Sequence, residues 1–302
     1  MNNSNMNSGT LNNATVNNIT ISSAIKLRRK ISAGQIAAHI ILALLILLLL
    51  YPLGMALWGG FKSQAQFDVS KWYPTLPLNF TNLSFAVGVL WTFVLNTLLV
   101  GGVGTAGMLI VSALGAYAFA RFEFPGKKAL YILVIAIMMI SAIMTLVPSF
   151  VLYKKLVGVN TYMILILPVI TGGSVFGVFL LRFFFEGIPE SIFEAARADG
   201  ASELRVFLTM CVPLSIPILA TLAIMQLTGV WNDYIWPMIA IPTASEKLTI
   251  SAAIRKEFLS AYGDSYPTLF AGYLFSALPL ILLFVFANKY YIDGLTSAAI
   301  KF

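Results

Sequence analysis

Six long apolar runs divide most of this chain and constrain its fold more than any other feature. They cover approximately residues 36–60, 91–119, 129–150, 162–185, 213–240 and 268–288. A helix needs ~20 apolar residues to cross a bilayer, and each run is long enough. The bilayer core offers no water to backbone amides, so such runs cross it as helices. The runs predict an all-α membrane protein with six transmembrane helices.

The charge balance agrees with a membrane protein and argues against a nucleic-acid partner. The chain is 59% hydrophobic and only 10% charged, against roughly 25% charged residues in soluble domains. Its formal net charge of +7 comes mainly from basic residues beside the apolar runs, where membrane topology explains them. The sequence therefore predicts a protein that is embedded in a lipid membrane and does not bind nucleic acid.

The order of basic residues predicts the orientation of the spans. Residues 1–30 form a predicted disordered cytoplasmic tail that is rich in Asn, Ser and Thr and ends in a basic flank. The tail lacks the pattern of a cleavable signal peptide. The four basic residues of the flank are Lys26, Arg28, Arg29 and Lys30. Residues 31–302 form the predicted six-span domain, with both termini in the cytoplasm. The predicted external segments 62–90 and 241–267 exceed the length of a hairpin turn, so contacts with an external partner are expected.

Several classes of enzyme and cofactor site are disfavoured by the residue inventory. The chain has one cysteine and one histidine, Cys211 and His39, too few for a metal cluster or most hydrolytic schemes. It has no phosphate-binding P-loop pattern, so no bound ATP is expected in this chain. Residues 102–107 match G-x-G-x-x-G, and residues 173–177 match GxxxG, but both lie inside spans. Close helix packing is the predicted role of these glycines.

A charged insert, residues 187–212, separates the fourth and fifth apolar runs. It is the most charged part of the chain, so it is expected to face water. Pro189 suits a helix start, and Ser191 with Glu194 matches a capping box. Gly200 can take the left-handed conformation that ends a helix. Ser202 can then cap a second short helix that runs through Met210.

The first predicted helix of the charged insert has a small-residue face with an acid at each end. Alanines alternate with charged residues between Glu194 and Asp199. Such a helix could enter a groove on a partner, with the two acids fixing its register. An amphipathic linker at the membrane interface, with Glu194 acting only as a cap, is the alternative.

Four polar residues within or beside the spans are candidates for lining a substrate path. They are Asn96, Gln226, Asn232 and Asp233. An acid in a membrane span marks a functional site by default. The alternative for Asp233 is a place at the outer interface, where Trp231, Tyr234 and Trp236 would form an aromatic belt.

Residues 194–201 read Glu-Ala-Ala-Arg-Ala-Asp-Gly-Ala and resemble the EAA motif of ABC-transporter permeases. Phe207, Pro213 and Pro217 follow at matching positions. Four further stretches resemble signatures of carbohydrate-uptake permeases of the maltose and multiple-sugar type, on the side of the smaller permease subunit. These stretches are residues 96–98, 116–121, 231–237 and 290–301. The terminal stretch departs from the family pattern at Ser297–Phe302.

The resemblance implies the fold of a type I ABC importer permease and a non-enzymatic transport role in the cytoplasmic membrane of a prokaryote. It also implies a second permease subunit, two ATPase subunits that bind ATP and Mg²⁺, and an external solute-binding protein. The charged insert would then contain a coupling helix seated on one ATPase. The residues that correspond to this docking role are Glu194, Ala195, Ala196, Arg197, Asp199, Gly200 and Ala201. Segment 241–267 would reach the solute-binding protein.

The predicted function is therefore inward transport of a sugar or oligosaccharide by alternating access. An ABC permease for another small solute, such as glycerol phosphate or a polyamine, is one alternative. A secondary transporter driven by an ion gradient and a membrane-embedded enzyme are the others. The stretch 231–237 favours the sugar group, since the other importer classes share the EAA motif but not that stretch.

Overall fold

The computed structural model describes residues 33–299, with side chains described for residues 34–287. The predicted disordered tail, residues 1–30, and the side chains of the terminal stretch 290–301 lie outside the described residues. The chain divides into two compact units, residues 1–53 and 54–302. In the described residues, the first unit contains the N-terminal part of one helix, and the second contains every other element.

All regular structure among the described residues is helical. The first half consists of α1 (Ala33–Gly60), α2 (Gln64–Val69), α3 (Thr81–Arg121), α4 (Lys127–Met138), α5 (Ala142–Val157) and α6 (Tyr162–Glu186). The charged insert supplies α7 (Glu190–Ala198), α8 (Glu203–Val206) and a π-helical turn (Phe207–Cys211). The remainder comprises α9 (Val212–Leu214), α10 (Ile216–Asn232), α11 (Ile235–Ala240), α12 (Ile250–Ala253), a second π-helical turn (Ile254–Phe258), α13 (Leu259–Tyr262) and α14 (Tyr266–Ala299).

The described helices supply four single candidate spans and two bent pairs. Within the described residues, four single helices are long and apolar enough to cross a bilayer: α1, α3, α6 and the first part of α14. Two bent pairs pass the same test. In one pair α4 meets α5 at 105°, and in the other the helix ending at Leu214 meets α10 at 75°. With each pair counted as one span, the all-α architecture with six transmembrane helices is confirmed.

Glycines bring α3 and α6 close together in the centre of the second unit. A Cβ atom added at Gly104 would lie 2.6 Å from Val169 Cγ1, and one at Gly107 would lie 2.7 Å from Ile170 Cδ1. A Cβ at Gly177 would overlap Ser112 on α3. The G-x-G-x-x-G and GxxxG patterns therefore serve helix packing, as the sequence predicted.

The third and fifth predicted spans are not single straight helices. The third breaks at residues 139–141, between α4 and α5. The fifth breaks at Ser215 and again after Asn232. Ser215 Oγ donates a 2.7 Å hydrogen bond to the carbonyl of Cys211, and such back-bonding bends helices. The sequence predicted these two spans as residues 129–150 and 213–240, and apolar composition does not reveal the breaks within them.

The predicted loop 62–90 and the predicted external segment 241–267 are also more structured than expected. Helix α3 starts ten residues before the second apolar run, and its 41 residues measure about 60 Å, twice the thickness of the hydrocarbon core. Its N-terminal part buries Ala86 and Leu90 against Phe258 and Phe275. In segment 241–267, Leu248 and Ile250 are fully buried. Residues 81–90 thus extend α3, and segment 241–267 packs against this extension instead of forming an open loop.

Two neighbouring glycines of α3 provide a test of the helix packing. Gly104→Ala should lower the thermal unfolding temperature of the detergent-solubilised protein, because overpacking of this kind costs about 1–3 kcal/mol. Gly102 lies in the same motif but has no atom within 4 Å of an added Cβ. Gly102→Ala should be neutral or slightly stabilising, since alanine is the better helix former. Equal unfolding temperatures for both variants would contradict the close approach of α3 and α6.

Candidate functional site

Helix α7 forms the first half of the charged insert and ends as the sequence predicted. Gly200 has a φ of +80°. The Gly200 amide donates to the carbonyl of Arg197, and the Ala201 amide donates to the carbonyl of Ala196. These two bonds form a Schellman motif, in which glycine at the left-handed position closes the helix. The chain therefore turns sharply between α7 and α8.

The predicted capping box at the start of α7 is wrong. The helix begins two residues earlier than that box requires, at Glu190, with Pro189 at the cap position and no side-chain cap. Ser191 therefore lies within the first turn. The Glu194 side chain makes no hydrogen bond or ion pair within the described residues. The helix start is set by tertiary contacts of Glu190, which local sequence does not show.

One face of the charged insert is buried against the spans. Phe193 and Val206 are completely buried, and Phe207 and Cys211 lie beside them. They pack against a shared group of residues from α3 and α6. Those residues are Ala113, Ala116, Tyr117, Leu181 and Phe185. Burying a large apolar side chain stabilises by about 1.5–3 kcal/mol, so this face holds the insert to both spans.

A chain of ionic contacts also ties the charged insert to the end of α3. Arg121 forms an ion pair with Glu190, and Glu190 accepts a 2.8 Å hydrogen bond from Arg197. Arg197 donates a 2.8 Å bond to Glu203, whose second oxygen accepts a 3.0 Å bond from Tyr117. The network starts and finishes on α3, one helical turn apart. The bonds to Glu203 and Glu190 raise the pKa of the Arg197 guanidinium, which stays charged.

Arg121 is the centre of these contacts. Its side chain is only 7% exposed. One of its terminal nitrogens donates to the backbone carbonyls of Phe185 and Ile188, the second at 2.7 Å. The guanidinium also lies 3.9 Å from the centre of the Phe193 ring. Arg121 thus joins the ends of α3 and α6 to α7.

The opposite face of the charged insert is open. Glu194, Ala195, Ala198, Asp199 and Gly200 are exposed. Ala196, by contrast, is 6% exposed and faces the spans, so the exposed small-residue surface is narrower than the sequence suggested. Of the predicted docking residues, Arg197 and Ala201 are half-buried. Arg197 is engaged in the ionic network.

Sequence reasoning did not assign roles to Arg121, Tyr117, Glu190 and Glu203. The sequence could have pointed to Arg121 and Tyr117, because both lie in residues 116–121, a stretch that resembles a permease signature. Their partners are 69 and 86 positions away in the chain, at Glu190 and Glu203. Only the fold reveals such pairs, since neither partner follows a local pattern.

A second feature is a cavity of about 460 Å³ between α5, α6, α10 and α11. Its lining is mostly apolar, but it includes Gln226 and Asp233. Asp233 Oδ1 accepts hydrogen bonds from the amides of Ile235 and Trp236 at 3.0 and 3.3 Å. It therefore caps the start of α11. The Gln226 amide makes no hydrogen bond within the described residues.

The other two predicted path residues lie outside this cavity lining. Asn96 is 7% exposed and donates to the carbonyls of Glu246 and Leu248 at 2.7 and 3.0 Å. It also accepts a 2.9 Å bond from Tyr162. Asn232 donates to the carbonyl of Thr228 on its own helix. The structure thus brings together Gln226 and Asp233, and uses Asn96 to attach segment 241–267 to α3.

Six candidate spans, with a partly exposed helix between the fourth and fifth, define a multi-pass membrane protein. The profile of the family described as binding-protein-dependent transport system inner membrane component matches residues 112–296, more than half of the chain. The chain belongs to this family. It is a transporter permease subunit, as the sequence predicted.

Individual relatives agree with the family assignment. The arabinooligosaccharides transport system permease protein AraQ of Bacillus subtilis is 30% identical over 89% of this chain and 97% of its own length. The maltodextrin transport system permease protein MalD of Streptococcus pneumoniae is 28% identical over 93% of this chain and 99% of its own. The predicted resemblance to carbohydrate-uptake permeases is confirmed.

A solved structure agrees with the fold. The chain is similar to a bacterial ABC transporter involved in the import of alginate, with a TM-score of 0.75 and 23% identity. The match covers 88% of this chain and 99% of the other. The ABC importer permease fold that the sequence predicted is therefore confirmed.

Arg121→Gln should loosen the charged insert. Removing this buried cation leaves the carbonyls of Phe185 and Ile188 without this donor and leaves Glu190 paired with Arg197 alone, so local opening becomes easier. We expect amide hydrogen exchange in α7 to accelerate by about tenfold, which corresponds to ~1.4 kcal/mol. Arg205→Gln is the matched control, because Arg205 is an exposed cation of the same insert. Equal exchange in both variants would show that Arg121 does not hold the insert.

Proposed function

We propose that this chain is one permease subunit of an ATP-driven ABC importer, and that α7 is the coupling helix seated on an ATPase subunit. The observation that carries this proposal is the division of α7 into two faces. One face is fixed to α3 and α6 by Arg121 and by buried apolar side chains. The other face exposes Glu194, Ala195 and Asp199 to a partner.

Coupling requires an element whose contacts differ between two states of the transporter. A helix held firmly to two spans would transmit a displacement of the ATPase to the membrane domain. The surroundings of Arg121 supply that rigid connection. ATP and Mg²⁺ belong to the ATPase subunits in this proposal, and the present chain holds no cofactor.

The proposed assembly contains this chain, a second permease subunit, two ATPase subunits and an external solute-binding protein. The family name supports dependence on a binding protein. One similar solved structure is that of a bacterial alginate ABC transporter in complex with a periplasmic protein bound to alginate pentasaccharide. The chain would lie in the cytoplasmic membrane with both termini and the charged insert, residues 187–212, in the cytoplasm.

Glu194→Lys should weaken docking on the ATPase. The substitution reverses a charge on the exposed face, and Glu194 has no partner within the described residues that the change would disturb. We expect ATPase co-purification and solute uptake to fall about tenfold, equivalent to ~1.4 kcal/mol of interface energy.

The control for this prediction is Glu123→Lys, the same charge reversal at the same side of the membrane but outside α7. The Glu123 side chain is 89% exposed, so this variant should fold and retain its ATPase. Full ATPase retention and uptake in Glu194→Lys would contradict the coupling role. Equal losses in both variants would indicate a general charge effect instead.

We also propose that the solute is a sugar or oligosaccharide and that the cavity lined by Gln226 and Asp233 belongs to its path. The names of the relatives AraQ and MalD support the substrate class. The cavity itself supports the path, because its lining is mainly apolar with few polar groups. Sites for small molecules have this character. The Gln226 amide is free to exchange hydrogen bonds with sugar hydroxyls.

Gln226→Leu should raise the apparent KM of uptake by up to about tenfold, because a neutral hydrogen bond contributes ~1 kcal/mol. Uptake of labelled maltodextrin and arabino-oligosaccharide by the intact transporter provides the measurement. Asn232→Leu, on the same helix but outside the cavity lining, is the control and should leave KM unchanged. Equal KM values for both variants would remove Gln226 from the path. Failure of the wild type to take up any sugar would instead overturn the substrate class.

A further inference from the structure

A basic groove lies beside the start of α4, apart from the charged insert and the central cavity. It has a volume of about 930 Å³. Three cations and one carboxylate lie among the residues that line it. The lining residues are Glu123, Phe124, Gly126, Lys127, Lys128, Ala129, Tyr131, Ile132 and Arg182. A groove of this charge is suited to a phosphate group.

The position of the groove along the helices places it at a membrane boundary. Helix α3 ends at Arg121, α4 begins at Lys127, and α6 ends at Glu186. These three helix ends meet on the side of the protein that carries the charged insert. Arg182 lies one helical turn inside the end of α6. The groove is therefore at the depth of lipid headgroups.

The three cations are held to different degrees. The Arg182 guanidinium lies 3.6 Å from the centre of the Tyr131 ring and pairs with Glu186 at 2.8 Å, so its place is fixed. Lys127 pairs with Glu123 at 2.8 Å. Because the Glu123 side chain is 89% exposed, that pair is weak and easily exchanged.

Lys128 differs from the other two cations. Lys128 is exposed, and its side chain makes no hydrogen bond or ion pair within the described residues. The groove thus offers one unpaired cation, one weakly paired cation and one fixed guanidinium. A phosphate that enters the groove can contact all three cationic side chains without first breaking a buried interaction.

The apolar surface next to the groove indicates a lipid rather than a soluble phosphate. Ile132 lines the groove and is 56% exposed, and the next residue, Leu133, is 55% exposed. None of the residues of α4 is buried. Acyl chains attached to a phosphate bound at the helix start would lie along this surface.

We propose that this groove binds the headgroup of an anionic phospholipid. Its phosphate contacts Lys127, Lys128 and Arg182, and its acyl chains follow α4. Basic pockets between membrane helices bind anionic headgroups in this way. Each basic residue near the surface strengthens such binding by roughly fivefold. The proposal does not depend on the identity of the transported solute.

The test measures lipid binding to the intact transporter complex by native mass spectrometry. The probes are phosphatidylglycerol and phosphatidylcholine with identical acyl chains. We expect the wild type to retain phosphatidylglycerol in preference to phosphatidylcholine. Lys128→Gln should reduce phosphatidylglycerol retention about fivefold. Lys155→Gln is the matched control, because Lys155 is an exposed lysine near the other end of the α4–α5 pair.

Several results would overturn the proposal. The first is equal retention of phosphatidylglycerol and phosphatidylcholine by the wild-type transporter, a measurement that requires no variant. Another is an equal effect of Lys128→Gln and Lys155→Gln. Displacement of phosphatidylglycerol by millimolar glycerol phosphate would indicate a site for soluble phosphates. Cross-linking from position 128 to another subunit, with no lipid adduct, would indicate a protein interface.

Discussion

The interaction on which the candidate site depends is the burial of Arg121 at the end of α3. A cation with 7% of its side chain exposed carries a desolvation penalty of several kcal/mol unless acceptors surround it. Glu190 and the carbonyls of Phe185 and Ile188 supply those acceptors. Because these acceptors belong to α6, to the residues after it and to α7, pairing the two terminal nitrogens of Arg121 fixes the relative positions of α3, α6 and α7.

The glycine contacts extend this rigid unit into the membrane. Gly104 and Gly107 allow α3 to approach α6 closely, and Arg121 joins the same two helices at their ends. A displacement of α7 would therefore reach both spans together. The fifth span is attached differently, through the bend at Ser215. In the proposed mechanism, α7 moves with α3 and α6, and the bend provides the place where α10 can change its angle.

The features that sequence predicts well here depend on composition or on one residue. The six apolar runs predicted the membrane spans because a helix that crosses the bilayer must be long and apolar. Gly200 gave the end of α7 because few other residues adopt its left-handed conformation. The capping box failed because Glu190, held by Arg121 and Arg197, fixes the helix start from outside. The break at Ser215 was hidden because Leu214 and Ile216 on either side of it are apolar.

The two amides Asn96 and Gln226 show why a polar residue in a span does not by itself reveal a ligand site. Sequence treats them alike, since both are neutral and both lie in apolar runs. Asn96 makes three hydrogen bonds to protein groups, so a ligand would have to displace existing partners. Gln226 makes none within the described residues and borders a cavity, so a ligand would add bonds without removing any. The number of protein hydrogen bonds that a ligand must replace, rather than the residue type, therefore distinguishes a structural amide from a candidate ligand contact.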